Sequence, residues 1–325
     1  MLPKEIRIVF MGTPDFAVES LKALVENGYH VVGVITAPDK PAGRGRQLSE
    51  SAVKKYAVEN KLNVLQPEKL KNPEFIAELE SLKADLQIVV AFRMLPEIVW
   101  SMPLMGTFNL HGSLLPQYRG AAPLNWAVIN GEKETGVTTF LLSHEIDTGK
   151  IMFQEKIAIA ENDTVGDLHD QLMVIGANLV IRTVDALASG NVEAIDQEHL
   201  IDHPDRIKHA PKIFKEDCRI DWTRDTESVR NLIRGLSPYP AAWTELEYPG
   251  KGEVLTAKIY AVTRDNSGLT AAPGTLHTDG KKFLKIACPD GWLLVTDIQL
   301  SGKKRMKTDE LLRGFHDLGD WRVKM

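Results

Sequence analysis

Short apolar runs alternate with segments of helical spacing over the first 190 residues. Residues 6–11 form a mostly apolar, strand-like run, residues 15–27 have apolar positions at helical spacing, and residues 31–36 form a second mostly apolar run. This β-α-β order predicts a parallel sheet with right-handed crossovers. The remaining predicted strands are 63–66, 85–92, 107–110, 136–142 and 150–158, and the remaining predicted helices are 51–60, 73–83, 95–100, 123–130 and 164–187.

The pattern changes after about residue 210, where short strand-like runs are separated by glycine turns. One helical stretch, 226–234, interrupts them. Such a rhythm is typical of a small β-barrel, here of the oligonucleotide-binding (OB) kind. The predicted strands of this part are 219–222, 242–246, 255–262, 274–276, 283–287 and 292–298.

Together these patterns predict an α/β fold with a Rossmann-like, mostly parallel sheet, followed by a C-terminal OB-like β-barrel. A chain of 325 residues is longer than one core usually organises, so two domains are expected. We place the first at 1–190, a polar linker at 191–209 and the barrel at 210–325. The first turn, at residues 12–16, lacks the later glycines of a dinucleotide fingerprint, which argues against a nicotinamide enzyme.

Composition is that of an ordinary soluble protein, with 43% hydrophobic and 26% charged residues. The sequence pattern shows no apolar run of membrane-spanning length and no signal-peptide core, so we expect a cytoplasmic protein without a membrane partner. We also expect a monomer. Cys218 and Cys288 belong to no Cys-x-x-Cys unit and are interpreted as buried small apolar residues. His144-Glu145 lacks a second histidine four positions on, and we predict no metal site.

Charge is distributed unevenly along the chain. Residues 207–325 contain 20 Lys and Arg against 16 Asp and Glu, a net charge of +4, whereas residues 1–206 contain 19 against 28, a net charge of −9. Lys303, Lys304, Arg305 and Lys307 form the densest cationic run. On a small barrel this run is a candidate tRNA contact, although a solvated loop would have the same composition.

A second basic segment lies at residues 37–47, where Lys40, Arg44 and Arg46 stand among two prolines and two glycines. The prolines and glycines predict a loop without regular structure. The clustered cations suit contact with phosphates, and an exposed loop without a ligand fits the composition equally well.

The candidate chemistry centres on Asn109 and His111. If residues 108–111 end a strand, the two side chains point to one face, so that an amide and an imidazole stand together. A hydrogen-bonded turn would be the ordinary interpretation of this pair alone. Asp147 lies in the turn between the next two predicted strands, where it either bonds its own backbone or reaches back to orient His111.

Several motifs together resemble the 10-formyltetrahydrofolate-dependent formyltransferases over nearly the full chain. The pattern Asn-x-His followed by Asp-x-Gly is common to that family, and Arg119-Gly120-Ala121-Ala122-Pro123, the basic loop and the barrel narrow the resemblance to members acting on tRNA. The motifs are residues 12–16, 41–46, 109–116, 118–123 and 147–149.

The resemblance implies transfer of a formyl group from 10-formyltetrahydrofolate to the amino group of initiator methionyl-tRNA, with Asn109, His111 and Asp147 as catalytic residues. The implied folate contacts are Ser113, Leu114, Leu115, Pro116, Phe92, Arg93, Met94 and Leu95, and the implied tRNA contacts are Lys40, Arg44, Arg46, Arg119, Lys303, Lys304 and Arg305. Arg93 occupies a position that is often glycine in these enzymes.

Two other functions use the same residues. A formyltransferase acting on the amine of a sugar nucleotide would share Asn109, His111 and Asp147 but would have little use for a basic barrel. A noncatalytic tRNA-binding protein would need the barrel, but retention of all three polar residues argues against it.

Overall fold

The computed structural model describes residues 2–42, 47–201, 203–265, 268 and 271–325. The chain forms two compact units that are not continuous in sequence. Unit 1 comprises Met1–Pro123, Glu134–Ile157 and His169–His209, and unit 2 comprises Leu124–Lys133, Ala158–Leu168 and Ala210–Met325.

Unit 1 contains a seven-stranded sheet with the order β10-β9-β7-β6-β1-β2-β5. Strands β5, β2, β1, β6 and β7 run parallel to one another, and β9 is antiparallel to β7. The predicted mostly parallel sheet is confirmed. The strands from the start of the chain to residue 210 are β1 (Ile8–Gly12), β2 (Val31–Ile35), β3 (Lys40–Ala42), β4 (Gln47–Ser49), β5 (Val64–Leu65), β6 (Leu86–Val90), β7 (Thr107–His111), β8 (Arg119–Gly120), β9 (Glu134–Leu141), β10 (Ile151–Ala158) and β11 (His209–Ala210).

The helices of the same part of the chain are α1 (Asp15–Glu26), α2 (Ala52–Glu59), α3 (Pro73–Ser81), α4 (Glu97–Trp100), α5 (Pro123–Ile129) and α6 (Val165–Ser189). Two of them begin at residues whose side chains cap the helix. The Ser51 side chain accepts from the Lys54 N–H at the start of α2, and the Asn72 side chain accepts from the Glu74 N–H at the start of α3.

The basic segment at 37–47 differs from its sequence prediction. Strands β3 and β4 pair antiparallel, with Lys40 opposite Ser49 and Ala42 opposite Gln47. The expectation of no regular structure was therefore wrong at Lys40–Ala42 and at Gln47. A two-stranded ribbon has free edges, so Pro41 removes no donor that the pairing requires. Arg44 and Arg46 lie outside the described residues.

Helix α6 is the one described helix long and apolar enough, by length and composition, to cross a membrane. The sequence pattern had predicted no such segment. Within unit 1 this helix packs on the sheet: a side chain at Gly176 would lie 2.7 Å from the Leu110 side chain, and Thr183 Oγ1 lies 2.9 Å from Thr139 Oγ1. The opposite surface carries exposed charged residues such as Asp170. Core helices of water-soluble proteins share these features.

Unit 2 contains an antiparallel sheet with the order β14-β15-β16-β13-β12-β18, with β17 paired to β16. The Val323 N–H donates to Gly274 O at 3.3 Å, and the Gly274 N–H donates to Ala287 O, which links the two ends of the sheet. The predicted barrel is confirmed as a nearly closed antiparallel barrel. Its elements are α7 (Thr226–Gly235), β12 (Ala242–Tyr248), β13 (Glu253–Asp265), β14 (Leu276–Thr278), β15 (Leu284–Cys288), β16 (Gly291–Leu300), β17 (Met306–Lys307), α8 (Thr308–Leu312) and β18 (Arg322–Val323).

One predicted strand of unit 2 was wrong. Residues 219–222 make a single bridge from Arg219 to Trp243, and the Ile220 N–H donates to Trp243 O at 2.8 Å. Ile220 and Trp222 are buried in the barrel core, so their apolar character reflects packing and not strand pairing.

Both cysteines are free and buried, as the sequence predicts. Burial raises the pKa of the Cys218 thiol, and it raises the pKa of the Cys288 thiol to about 12. Because the thiolate is the reactive form, neither cysteine should react with a thiol-specific disulfide reagent at pH 8 while the protein is folded. Two thiols should react after unfolding in guanidinium. Rapid labelling of the native protein would contradict this placement.

Candidate active site

Asn109 and His111 lie on the same face of β7, at the carboxyl edge of the sheet. Asn109 is in register with Val89 of β6 on one side and with Phe140 of β9 on the other. The His111 side chain is only 6% exposed, and its ring meets the Phe140 ring edge-on at a centroid distance of 6.4 Å. Within the described part of the chain, no group forms a hydrogen bond with the Asn109 side chain, so its amide can donate to a ligand.

The hydrogen bonds around His111 define the role of each ring nitrogen. Nε2 lies 2.9 Å from Tyr118 O. A carbonyl oxygen only accepts, so Nε2 carries the proton in the neutral ring and the Nδ1 lone pair is free. Nδ1 lies 3.8 Å from Asp147 Oδ2. A proton taken up at Nδ1 would therefore form an imidazolium beside a carboxylate.

Asp147 lies in the connection between β9 and β10, in a constrained conformation. Its φ is +56°, and its Oδ2 accepts from the Gly120 N–H at 2.9 Å. Two residues later, a Cβ at Gly149 would lie 1.6 Å from Leu141 O, so only glycine fits there. The antiparallel return of the chain thus brings the carboxylate back to His111, as the functional interpretation of the sequence expected.

Tyr118 presents its carbonyl to His111 from a left-handed conformation, with φ of +61°. Its own N–H donates to Lys208 O at 2.6 Å. A non-glycine residue in this region costs on the order of 1 to 2 kcal/mol, which neighbouring contacts must offset. Ala91, directly after β6, is also left-handed at φ of +47°. Backbone strain therefore recurs around this edge of the sheet.

Residues 113–116, predicted to contact folate, form a well-anchored wall. Ser113 is fully buried and its Oγ donates to Gln117 O, while Leu115 and Pro116 are also buried. The Leu115 N–H donates to Thr138 Oγ1, and Gln154 Nε2 donates to Leu115 O at 2.9 Å. These side chains maintain the loop conformation, and only Leu114 is partly exposed.

The second predicted folate segment, residues 92–95, follows the left-handed Ala91. Met94 is 76% exposed, whereas Leu95 is buried. Among the described residues, the main-chain N–H and C=O groups of 92–95 have no backbone hydrogen-bond partner. The Arg93 guanidinium donates to the carbonyls of Pro67 and Glu68, and burial lowers its pKa. The Arg93 side chain thus holds residues 92–95 in place, and the main chain of this segment remains available to a ligand.

The predicted tRNA contacts differ from one another in exposure and in the partners of their side chains. Lys40 is exposed at the start of β3. Arg119 donates from Nε and Nη2 to Gln197 Oε1, at 3.0 and 2.7 Å, and burial lowers its pKa, partly opposed by the nearby Asp147 carboxylate. In unit 2, Lys303 is exposed and Lys304 lies 3.4 Å from Glu310.

Arg305, the third residue of that cationic run, has a partner within the barrel. Its Nε and Nη2 donate to the two carboxylate oxygens of Asp297, at 3.0 and 2.7 Å, and its guanidinium lies 4.3 Å from the centre of the Tyr260 ring. The hydrogen bond from Arg305 holds the pKa of Asp297 below its usual value. Its geometry resembles a structural ion pair more than a free phosphate contact.

Replacing Arg305 with alanine should lower the free energy of unfolding of unit 2 by about 2 kcal/mol at pH 7, because a largely buried carboxylate loses its bidentate partner. Since the folded-state pKa of Asp297 is depressed, this stabilisation is complete above the unfolded pKa of about 4 and is lost progressively as the pH falls towards and through the lower folded-state pKa. Urea unfolding of the variant and of Lys303→Ala at pH 7 and at a series of lower pH values down to about pH 2 measures this. Equal stability of the two variants at pH 7 would contradict the structural role.

Three contributors to this edge of the sheet were missed by sequence reasoning. The Tyr118 carbonyl and the Gly120 N–H act through the main chain, so residue type gave no indication of them. Gln197 lies in the predicted linker, where no motif marked it. Among the described residues, no group of three or more His, Cys, Asp or Glu is placed to hold a metal ion.

Family models and curated relatives match this chain over most of its length. The family model described as "Formyl transferase" matches residues 6–184, and "Formyl transferase, C-terminal domain" matches residues 212–316. The chain is 60% identical to a methionyl-tRNA formyltransferase of Bacteroides fragilis, over 97% of both chains. It is 59% identical to the protein of the same name from Bacteroides thetaiotaomicron, again over 97% of both.

Among solved structures, an N-formyltransferase from Helicobacter canadensis, in complex with folinic acid and dTDP-3-aminofucose, has a TM-score of 0.62 at 20% identity, covering 93% of this chain and 100% of that one. HypX from Aquifex aeolicus in complex with tetrahydrofolic acid has a TM-score of 0.63 at 19% identity, covering 97% of this chain and 48% of that one. At these identities the likeness concerns the fold.

Proposed function

The chain belongs to the formyl transferase family, and from this premise we propose that Asn109, His111 and Asp147 form its catalytic centre. It is a formyltransferase, and its reaction is the transfer of a formyl group to the amino group of methionyl-tRNA. We further propose that the preferred substrate is the initiator tRNA, whose formylated product serves translation initiation.

The formyl donor is 10-formyltetrahydrofolate, which supplies the formyl carbon on its N10 nitrogen. The residues at the carboxyl edge of the sheet fit such a ligand. The main-chain groups of residues 92–95, which have no backbone partner in the part of the chain that the structure describes, match the donor and acceptor edges of a pterin ring, and the exposed Met94 side chain offers apolar contact. We propose that residues 92–95 and the wall at 113–116 hold the folate.

Asn109 is proposed to stabilise the negative charge that develops on the formyl oxygen during transfer. Its amide donates hydrogen bonds, does not titrate, and has no competing partner among the described residues. A preorganised donor of this kind typically contributes about 3 to 4 kcal/mol to the transition state.

His111 is proposed to accept the proton of the attacking amine at Nδ1 and to return it to the departing nitrogen. The Nε2 bond to Tyr118 O fixes the tautomer that leaves Nδ1 free. Asp147 Oδ2, 3.8 Å away, then stabilises the imidazolium, and the Gly120 N–H keeps the carboxylate in place. In its protonated form His111 can instead donate a charge-assisted hydrogen bond to the formyl oxygen, and Nδ1 is the ring atom that serves either role.

The tRNA is proposed to contact Lys40, Lys303 and Lys304, together with Arg44 and Arg46 of the basic segment. We assign catalysis to residues 1–190, the linker to 191–209 and additional tRNA affinity to 210–325, whose net charge is +3. Arg119 and Arg305 are assigned to the support of the protein itself, since each donates twice to one internal partner. Both substrates are water-soluble, which supports a cytoplasmic location with no membrane partner, and we propose that the protein acts as a monomer.

The observation that carries the proposal is the free Nδ1 of His111 facing Asp147, with Asn109 on the same face of β7. The test uses 10-formyltetrahydrofolate labelled in the formyl group, with charged methionyl-tRNA or a nucleotide-linked amino sugar as acceptor. We expect label only in the methionyl-tRNA. Transfer only to the sugar would overturn the assigned substrate while leaving the catalytic centre standing.

A further inference from the structure

We propose that Gln197, a residue of the predicted linker, positions the Asp147 carboxylate for catalysis. The inference rests on the proposed function of Asp147 and adds a residue that touches neither substrate. Gln197 begins a 3-10 turn, Gln197–Leu200, and is 1% exposed. A side-chain amide buried this completely needs all its hydrogen-bonding groups satisfied, so its partners define its role.

The Gln197 amide has a complete set of partners, all at the candidate active site. Nε2 donates both hydrogens, one to Asp147 O and one to Gly149 O, each at 2.8 Å. Oε1 accepts from Nε and Nη2 of Arg119. Only this orientation of the amide is consistent, because the two carbonyls need a donor and the guanidinium needs an acceptor.

These bonds join two segments of the chain, one that contains Asp147 and Gly149 and one that contains Arg119. The main chain of Asp147 and Gly149 lies on one side, and Arg119 on the other. The residue after Arg119, Gly120, donates its N–H to Asp147 Oδ2 at 2.9 Å. Gln197 therefore fixes both the main chain that carries the carboxylate and the segment that orients it.

The turn needs such a brace. Ile146, next to Asp147, is 62% exposed, and Asp147 itself is left-handed. Hydrogen bonds within the turn involve the side chains of Ser143 and Thr148 and do not reach Asp147. The brace itself is anchored, because Ile195 and Ile151 exchange two main-chain hydrogen bonds of 2.8 Å, which holds residues 195–197 along the start of β10.

The test compares Gln197→Ala, Gln197→Glu and Asp147→Asn with the wild-type enzyme in steady-state formyl transfer. In Gln197→Ala the Asp147 main chain loses its brace, and kcat should fall about tenfold to a hundredfold, the scale expected for a misplaced catalytic group. KM for each substrate should stay within about twofold, because Gln197 is buried and its side chain bonds only to other groups of the protein. In the Asp147→Asn background, Gln197→Ala should lower kcat by no further than about twofold, since its effect passes through the lost carboxylate.

Gln197→Glu separates the hydrogen bonds that Gln197 donates to Asp147 and Gly149 from those that it accepts from Arg119. Its carboxylate can still accept from Arg119 but presents oxygen to the carbonyls of Asp147 and Gly149, so kcat should fall as in Gln197→Ala. Because it retains the side-chain volume and the Arg119 contact, it also serves if Gln197→Ala does not fold. Thr183→Val removes another buried hydrogen bond of unit 1 away from Asp147, and its kcat should equal that of the wild type.

Each result decides the inference. A Gln197→Glu enzyme with kcat within threefold of the wild type would overturn it, as would equal losses from Gln197→Ala in the wild-type and Asp147→Asn backgrounds. If the wild type is active and the Gln197→Glu variant has a normal kcat, the role assigned to Gln197 is refuted, but the proposed function is not. A wild type that does not formylate methionyl-tRNA would instead refute the proposed function.

Discussion

Replacement of His111 with alanine should lower kcat about 10³-fold while leaving the affinity for methionyl-tRNA unchanged. General acid–base groups typically contribute about 10² to 10⁴ in rate, and the free Nδ1 makes His111 the proton acceptor in this site. The tRNA contacts proposed here are other, charged side chains, so binding should survive. The measurements are kcat with both substrates saturating and Kd for charged tRNA.

A matched control is His144→Ala, which removes another histidine of unit 1. His144 is exposed and its Nε2 lies 3.5 Å from Glu97 Oε1, whereas the buried His111 has its Nδ1 3.8 Å from Asp147 Oδ2. Its kcat should match the wild type. Asp147→Asn should fall between the two, because asparagine tolerates the left-handed backbone and can still accept from Gly120 but carries no charge. A His111→Ala enzyme within threefold of wild-type kcat would refute the assignment.

Replacement of Asn109 with alanine should lower kcat about 10²-fold to 10³-fold, which corresponds to the loss of one preorganised donor to a developing oxyanion. Because no described residue bonds the Asn109 amide, the substitution leaves no buried protein group without a partner, and folding should be little affected. Steady-state kcat and thermal unfolding measure the two effects separately.

Asn109→Asp is the sharper comparison, since the side chain has nearly the same shape. A carboxylate at this position would repel the developing charge, so the aspartate enzyme should be no faster than the alanine enzyme. An aspartate variant that retains wild-type kcat would show that the amide hydrogens are not required.

The mostly parallel sheet and the barrel were predictable because burial leaves a periodic record in the sequence. Strand β6 is buried along its whole length, which matches the apolar centre of residues 85–92. The same logic failed at 219–222, where apolar residues fill the barrel core without pairing as a strand. A different argument failed at Lys40–Ala42. There the proline and glycine content predicted no regular structure, but this content carries no information about a two-stranded ribbon.

The candidate site was predictable only where it uses side chains in a recognisable spacing. Asn109 and His111 follow from the two-residue period of a strand, and Asp147 follows from the family pattern. The Tyr118 carbonyl and the Gln197 brace depend on contacts between residues far apart in the chain. Composition likewise could not separate Arg305, paired with Asp297, from the exposed Lys303 beside it.

The most direct test of the catalytic centre is the single-turnover rate of formyl transfer, with enzyme in excess over methionyl-tRNA and 10-formyltetrahydrofolate saturating. The double variant Asn109→Ala/His111→Ala should transfer the formyl group at least about 10³-fold more slowly than the wild type, with the same Kd for methionyl-tRNA. A double variant that transfers within tenfold of the wild-type rate would place the chemistry elsewhere in the protein.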